Sequence, residues 1–204
     1  MDSGQLIVFE GPDGIGKSSL LEEVRAQLAR SISTVKEASF PGKTPGSLGA
    51  IVYGLHHDPS RFGIAQINPI ALQTLHIAAH MDSIQSTILP ALNSGAVVLL
   101  DRFWWSTSVY GTAANVDATA LELLVQAEQV VWEGRLPDAV FLVTRSEAFR
   151  PEHPQDHFDR HLQLYLKLAA RESGRYPVFS VENNDFKCAV DSILQILSGQ
   201  LKPL

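Results

Sequence analysis

Short unbroken apolar runs alternate with longer stretches whose apolar residues recur every three or four positions. Leu6-Ile7-Val8-Phe9 is apolar throughout, as expected of a strand in a parallel sheet covered on both faces. Ser18–Arg30 follows with Leu20, Leu21, Val24 and Leu28 at helical spacing, and Thr34–Phe40 reads as a second strand. Pro69–Leu92 predicts one long helix carrying Leu72, Leu75, Ala79, Ile84 and Ile88, stopped by Asn93-Ser94-Gly95. Ala96–Leu100 is the strongest strand signal. Asp117–Glu133 predicts a helix, Ala139–Val143 a strand, Phe158–Glu172 a helix, Tyr176–Val181 a strand and Asp185–Ser198 a closing helix. This alternation implies a three-layer α/β fold: a five-stranded parallel sheet with right-handed crossovers and helices on both faces. Pro41–Gly49 and Arg145–His157 have no clean period, and irregular loops near strand ends are where ligands bind in such folds.

Composition narrows the class. Hydrophobic residues make up 45 % of the 204 and charged residues 19 %, which excludes a disordered, collagen-like or coiled-coil chain. The net charge of −6 leaves no basic field for a nucleic-acid partner. Cys188 is the only cysteine, so no internal disulfide or cysteine-based zinc cluster can form. The first apolar run is too short for a signal peptide, and no run approaches the ~20 residues of a membrane span. The expectation is one soluble, cytoplasmic domain over 1–204 with no membrane partner.

The sharpest chemical signal is Gly11-Pro12-Asp13-Gly14-Ile15-Gly16-Lys17-Ser18, a match to G-x-x-x-x-G-K-[ST] between a predicted strand and a predicted helix. Gly11, Gly14 and Gly16 let backbone N–H groups converge on phosphate oxygens, and the helix N-terminus adds partial positive charge. Lys17 would reach the outer phosphates of ATP, Ser18 would ligate Mg²⁺, and Asp13 and Ser19 complete the loop around the nucleotide. The bland alternative is a tight strand–helix turn. A second element, Asp101-Arg102, ends the strongest strand: Asp101 is placed to assist Ser18 with Mg²⁺, and Arg102 to grip a second phosphate. Seen alone, such a pair often only solvates a strand end.

With these residues in hand, the chain resembles the thymidylate kinase family of phosphate-loop nucleoside monophosphate kinases. The most specific part is Asp101-Arg102-Phe103-Trp104-Trp105-Ser106-Thr107-Ser108-Val109-Tyr110-Gly111, similar to the family's Asp-Arg-aromatic segment. Phe40-Pro41-Gly42-Lys43-Thr44 resembles the loop that brings a basic residue, here Lys43, to the monophosphate. Arg160 and Tyr165 also stand at familiar spacing. The resemblance implies ATP-dependent phosphorylation of a deoxynucleoside monophosphate, most simply dTMP, with Mg²⁺ and a homodimeric state. It implies an acceptor region over about 41–93 and a lid over about 145–157. Asp13, Phe40, Lys43, Arg102, Ser106, Thr107 and Tyr110 would contact the acceptor, with Tyr110 excluding a ribose 2′-hydroxyl. His76 and His80 stand where the family carries a stacking Phe and a hydrogen-bonding Arg, and Gly111 stands where a Gln often follows the aromatic.

Other readings stay open on the residues themselves. His76/His80 and His153/His157 are each four apart, a spacing compatible with a metal site, a base pocket or a plain helix surface. His56-His57-Asp58 fits a solvated helix end. Trp104 and Trp105 would either line the acceptor pocket or fill the core. Positive charge over the transferring phosphoryl group must come from outside the phosphate loop, with Arg150 first choice among Arg150, Arg145 and Arg160. A kinase of other nucleosides or nucleotides, with Glu10 or Asp13 as base, and a non-catalytic ATP-binding module are the competing functions.

Overall fold

The computed structural model describes residues 4–147 and 155–200. Five strands, β1 (Gln5–Glu10), β2 (Val35–Ser39), β3 (Val97–Asp101), β4 (Ala139–Thr144) and β5 (Val178–Glu182), form one parallel sheet in the order β2-β3-β1-β4-β5. Alternation along the strands divides the core. Leu6 and Val8 of β1, Val98 and Leu100 of β3, and Val140 and Leu142 of β4 pack on one face. Ile7 and Phe9, Val97 and Leu99, and Phe141 and Val143 pack on the other. Each such side chain contributes roughly 1.5–3 kcal/mol when fully buried, which is why these strands lack the polar alternation of a half-exposed sheet.

One face is covered by α1 (Lys17–Leu28) and α8 (Phe186–Gln200). The opposite side carries α2 (Leu48–His57), α3 (Pro69–Ser83), α4 (Leu89–Asn93), α5 (Trp104–Ala113) and α6 (Ala118–Val131). α7 (Gln155–Glu172) serves both cores, with Tyr165 and Leu168 in this one and Phe158 in that of α1 and α8. The helix expected over 69–92 is present but interrupted by a π turn over Ile84–Ile88, where the Leu89 N–H donates to the Ile84 carbonyl. Pro90, which has no N–H, lies directly after it and prevents a regular α-ladder at this point. Pro69, at the first helical position behind the Asn68 cap, starts the same rod.

Two helices carried no periodic signal. In α2, Gly49, Gly54, His56 and His57 break an already short apolar stripe. In α5, buried aromatic and hydroxyl residues follow one another without a 3.6-residue repeat, because both the core and the site cover this helix. Trp104 and Trp105 are 2 % and 0 % exposed and pack within the core cluster on this side of the sheet. Trp105 satisfies its indole N–H on the Tyr176 hydroxyl at 3.0 Å.

Candidate active site

β1 is the central strand, and the chain leaves its carboxyl end through Gly11 into the phosphate loop. Gly11 has φ 139°, and a Cβ there would meet the Val143 carbonyl oxygen at 2.4 Å, so a side chain is doubly excluded. Gly16 caps α1 at φ 83° and brings no side-chain acceptor. The first-turn N–H groups of α1 are therefore left for an anion to satisfy. Asn183, at the end of β5, braces the loop by donating from its amide to the Ile15 carbonyl at 2.6 Å. It lies 168 residues from its partner, and nothing in the sequence marks it.

Within this cradle Lys17 is 5 % exposed, and its Nζ donates to the Pro12 carbonyl at 2.6 Å. Burial, helped by the charge of Arg102, pulls its pKa down to about 8. Ser18 Oγ donates to Asp101 Oδ2 at 2.7 Å, bringing together the two residues expected at the metal. Asp101 Oδ1 is buried with no protein partner. A hydroxyl beside a carboxylate with one oxygen unsatisfied is a hard, all-oxygen donor set of the kind Mg²⁺ accepts. Ser19 is exposed on the next position of α1.

The chain turns from β3 into α5 at Arg102, whose φ of 76° is unusual for a residue with a side chain. Glu10 holds this turn. Fully buried, it accepts from the Phe103 N–H at 2.7 Å, the Ser106 N–H at 3.0 Å and the Ser106 hydroxyl at 2.8 Å. Desolvation raises its pKa to about 7, against the opposing pull of Arg102 and these hydrogen bonds. Its signal in the sequence was a carboxylate closing an apolar strand beside the loop. The function it serves, capping a helix 93 residues away, is a matter of tertiary structure.

The Arg102 guanidinium donates to Ser106 Oγ at 2.9 Å and to Asp13 Oδ1, and it sits 5.4 Å from the centre of the Tyr110 ring. Burial works against its charge, but Tyr110, Asp13, Tyr165 and Asp101 around it hold its pKa above the ordinary arginine value. Asp13 Oδ2 accepts from the Tyr110 hydroxyl at 2.7 Å, and Ser106 Oγ lies 2.9 Å from the Tyr165 hydroxyl. Asp13, Arg102, Ser106 and Tyr110 thus form one connected group. Thr107, one residue on, is 3 % exposed and its Oγ1 has no partner.

Lys43 is exposed, with its ammonium 4.5 Å from the Tyr53 ring centre. Phe40 is 4 % exposed and stacks on His80, ring centres 4.1 Å apart and planes 11° from parallel. His80, 2 % exposed, places Nδ1 2.8 Å from Glu128 Oε2. His76 meets His56 of α2 through Nε2 and Nδ1 at 3.1 Å. Burial, with His80 and His56 nearby, drives the His76 pKa down to about 3, so this imidazole is neutral at physiological pH. Among the described residues no group of three or more metal-ligating side chains exists, so the histidine pairs do not build a metal centre there. Of the lid arginines, Arg145 donates to the Asn183 carbonyl at 2.6 Å and Arg160 to Asn115 Oδ1 at 3.4 Å. Arg150 and His153 lie outside the described residues.

A phosphate loop after the central strand, a hydroxyl–carboxylate pair beside it and a half-buried arginine joined to it define a phosphate-loop phosphotransferase. The thymidylate kinase family model matches residues 9–193, and the chain belongs to that family. It is 30 % identical to a thymidylate kinase of Bifidobacterium longum (strain DJO10A), with 99 % of both chains covered. It is 34 % identical to one of Chlamydia trachomatis serovar L2 (strain ATCC VR-902B / DSM 19102 / 434/Bu), covering 84 % of this chain and 88 % of that one. The solved structure of thymidylate kinase from Ehrlichia chaffeensis shares the fold, with a TM-score of 0.75 at 18 % identity over 96 % of this chain and 99 % of that one. No helix among the described residues is long and apolar enough to cross a membrane.

Proposed function

We propose that the chain is an ATP-dependent nucleoside monophosphate kinase that transfers the γ-phosphoryl group to dTMP, giving ADP and dTDP, as a single kinase domain. The observation that carries this reading is the bond from Arg102 to Asp13. It ties the phosphate loop to the β3–α5 turn, so that donor and acceptor phosphates would meet around one half-buried guanidinium. Transfer between two phosphates needs in-line alignment and charge neutralisation more than covalent help from the protein. The loop amides of Gly11, Gly14 and Gly16, with Lys17, Ser18 and Ser19, hold the ATP phosphates. Ser18 and Asp101 would hold Mg²⁺, which when bound would offset negative charge on the phosphates. Arg102, oriented by Ser106, and Lys43 clamp the acceptor phosphate. Asp13 and Tyr110 face the sugar. Phe40 and Thr107, with His76 and His80 of the acceptor region 41–93, form the base side. A lid arginine from 145–157, Arg150 by our assignment, completes the charge over the γ-phosphoryl group.

No general base is needed, because the attacking phosphate oxygen is already ionised. This favours a nucleotide over a nucleoside acceptor. A nucleoside kinase would need Glu10 or Asp13 as base, and both are engaged: Glu10 by the turn into α5, Asp13 by Arg102 and Tyr110. Family membership supports a homodimer and a cytoplasmic location. The test is ADP release from ATP with each deoxy- and ribonucleoside monophosphate in turn. dTMP is expected to give the highest kcat/KM, and ATP turnover unaffected by every monophosphate would defeat the proposal.

A further inference from the structure

Glu128 lies outside every expectation raised by the sequence, yet its carboxylate is wholly buried on α6 and reaches across to the base side of the acceptor region. Each of its oxygens faces one nitrogen. Trp132 Nε1, which can only donate, gives its hydrogen to Oε1 at 3.3 Å, and Oε2 lies 2.8 Å from His80 Nδ1. A carboxylate accepts only, so Nδ1 of His80 carries a hydrogen. The other ring nitrogen, Nε2, is then an acceptor whenever the imidazole is neutral. Among the described residues Nε2 has no hydrogen-bond partner. Phe40 lies flat against the ring at 4.1 Å and both rings are buried, which opposes the rotation about Cβ–Cγ that would carry Nδ1 away from Glu128. An arginine, which the family carries at this position, could only donate there.

We propose that Glu128 is a specificity-determining positioning residue: by holding the Nδ1–H of His80 it commits Nε2 to accept a hydrogen bond from an N–H on the acceptor base. The inference rests on the kinase reading above and deepens it. The edge so recognised is a ring imide N–H or an exocyclic amino group, which includes thymine and uracil at N3 and cytosine at N4. A pocket built this way reads the N–H of thymine and leaves the neighbouring carbonyl to other groups.

The Trp132 indole makes the test unusually direct. In Glu128→Gln the amide oxygen must serve the indole N–H, which turns the amide NH₂ toward His80 Nδ1. Nδ1 then becomes an acceptor, the hydrogen moves to Nε2, and the pocket presents a donor where the parent presents an acceptor. ¹⁵N NMR of the histidine side chains reads this without relying on activity. The parent should show His80 protonated at Nδ1 and unprotonated at Nε2, with the Nε2 resonance moving on addition of dTMP. Glu128→Gln should show the reverse assignment and raise the KM for dTMP about tenfold, with kcat changed less than twofold. Trp132→Phe should leave tautomer and KM near the parental values, because the Glu128–His80 bond survives. If Glu128→Gln does not fold, the parental spectrum still decides. A parental His80 unprotonated at Nδ1, protonated on both nitrogens, or with Nε2 indifferent to dTMP overturns the proposal, as does an unchanged KM in a folded Glu128→Gln. A parent that does not phosphorylate dTMP at all defeats the kinase reading instead, and the two failures are distinct.

Discussion

The two halves of the site are built on different principles. The ATP side is a cradle of consecutive residues, 11 to 18, whose shape comes from backbone: glycines at positive φ and a helix that opens without a side-chain cap. The proposed acceptor side draws single side chains from the 40–47 loop, α2, α3, α5, α6 and α7, joined by ring stacking and hydrogen bonds across long sequence distances. A backbone device tolerates little variation and writes itself into the sequence as a motif. A side-chain device can be rebuilt from other residues, and here histidines and a buried glutamate hold the proposed base end.

The contrast predicts that damage to the ATP side abolishes turnover, whereas damage to the acceptor side shifts affinity. Lys17→Ala should bring the largest effect, a loss of about a hundredfold or more in kcat with the fold retained by circular dichroism, since one preorganised charge is removed from the transferring phosphates. A parental kcat in that variant would erase the distinction between the halves. Glu10 comes next, because it belongs to both. Its pKa is raised from 4.5 to about 7, so the folded state holds the proton more tightly than the unfolded chain does. Its favourable contribution is full below pH 4.5 and is lost as pH rises through about 7, worth on the order of 3 kcal/mol. The fall in Tm from pH 5 to pH 8 should accordingly be steeper in the parent than in Glu10→Gln. Lys17, lowered to about 8, has the opposite sign and acts only above that pH, so the two windows separate.

Lys43→Ala should raise the KM for dTMP by about tenfold, an effect that shrinks as salt is added because this ammonium is exposed. Equal loss of kcat would move Lys43 from the acceptor to the transition state. The smallest effect belongs to Tyr110→Phe, which deletes the 2.7 Å bond to Asp13 while keeping the ring. About fivefold in KM is expected from one net hydrogen bond. The deoxy-over-ribo preference should persist in it and weaken in Tyr110→Ala, as measured by kcat/KM for dTMP and its ribo counterpart.

Legibility followed the same divide. All five strands were readable, with boundaries within a residue or two: β1, β3 and β4 as buried apolar runs, the partly exposed edge strands β2 and β5 from their place in the β–α alternation. Gly11 to Ser18 and Asp101-Arg102 were readable because phosphate chemistry demands particular residues at fixed spacing. Helices α2 and α5 were not, since glycines, histidines and site-facing hydroxyls interrupt their periodicity. Asn183, Glu128 and the capping role of Glu10 were hidden for another reason. Each is an ordinary polar residue whose meaning comes from a partner 168, 48 or 93 positions away.

The Asp13–Arg102 pair has one more consequence, and it is thermodynamic. Asp13 belongs to the phosphate loop and Arg102 to the β3–α5 turn, so their bond is a mechanical link between the two proposed ligand sites. A nucleotide that draws Asp13 toward itself alters how freely Arg102 can meet the second phosphate, and the reverse holds equally. The two affinities then carry a shared coupling free energy: the factor by which ATP changes the Kd of dTMP must equal the factor by which dTMP changes the Kd of ATP. Asp13→Asn, which weakens the link while leaving both cradles in place, is the substitution that should bring that common factor closer to one.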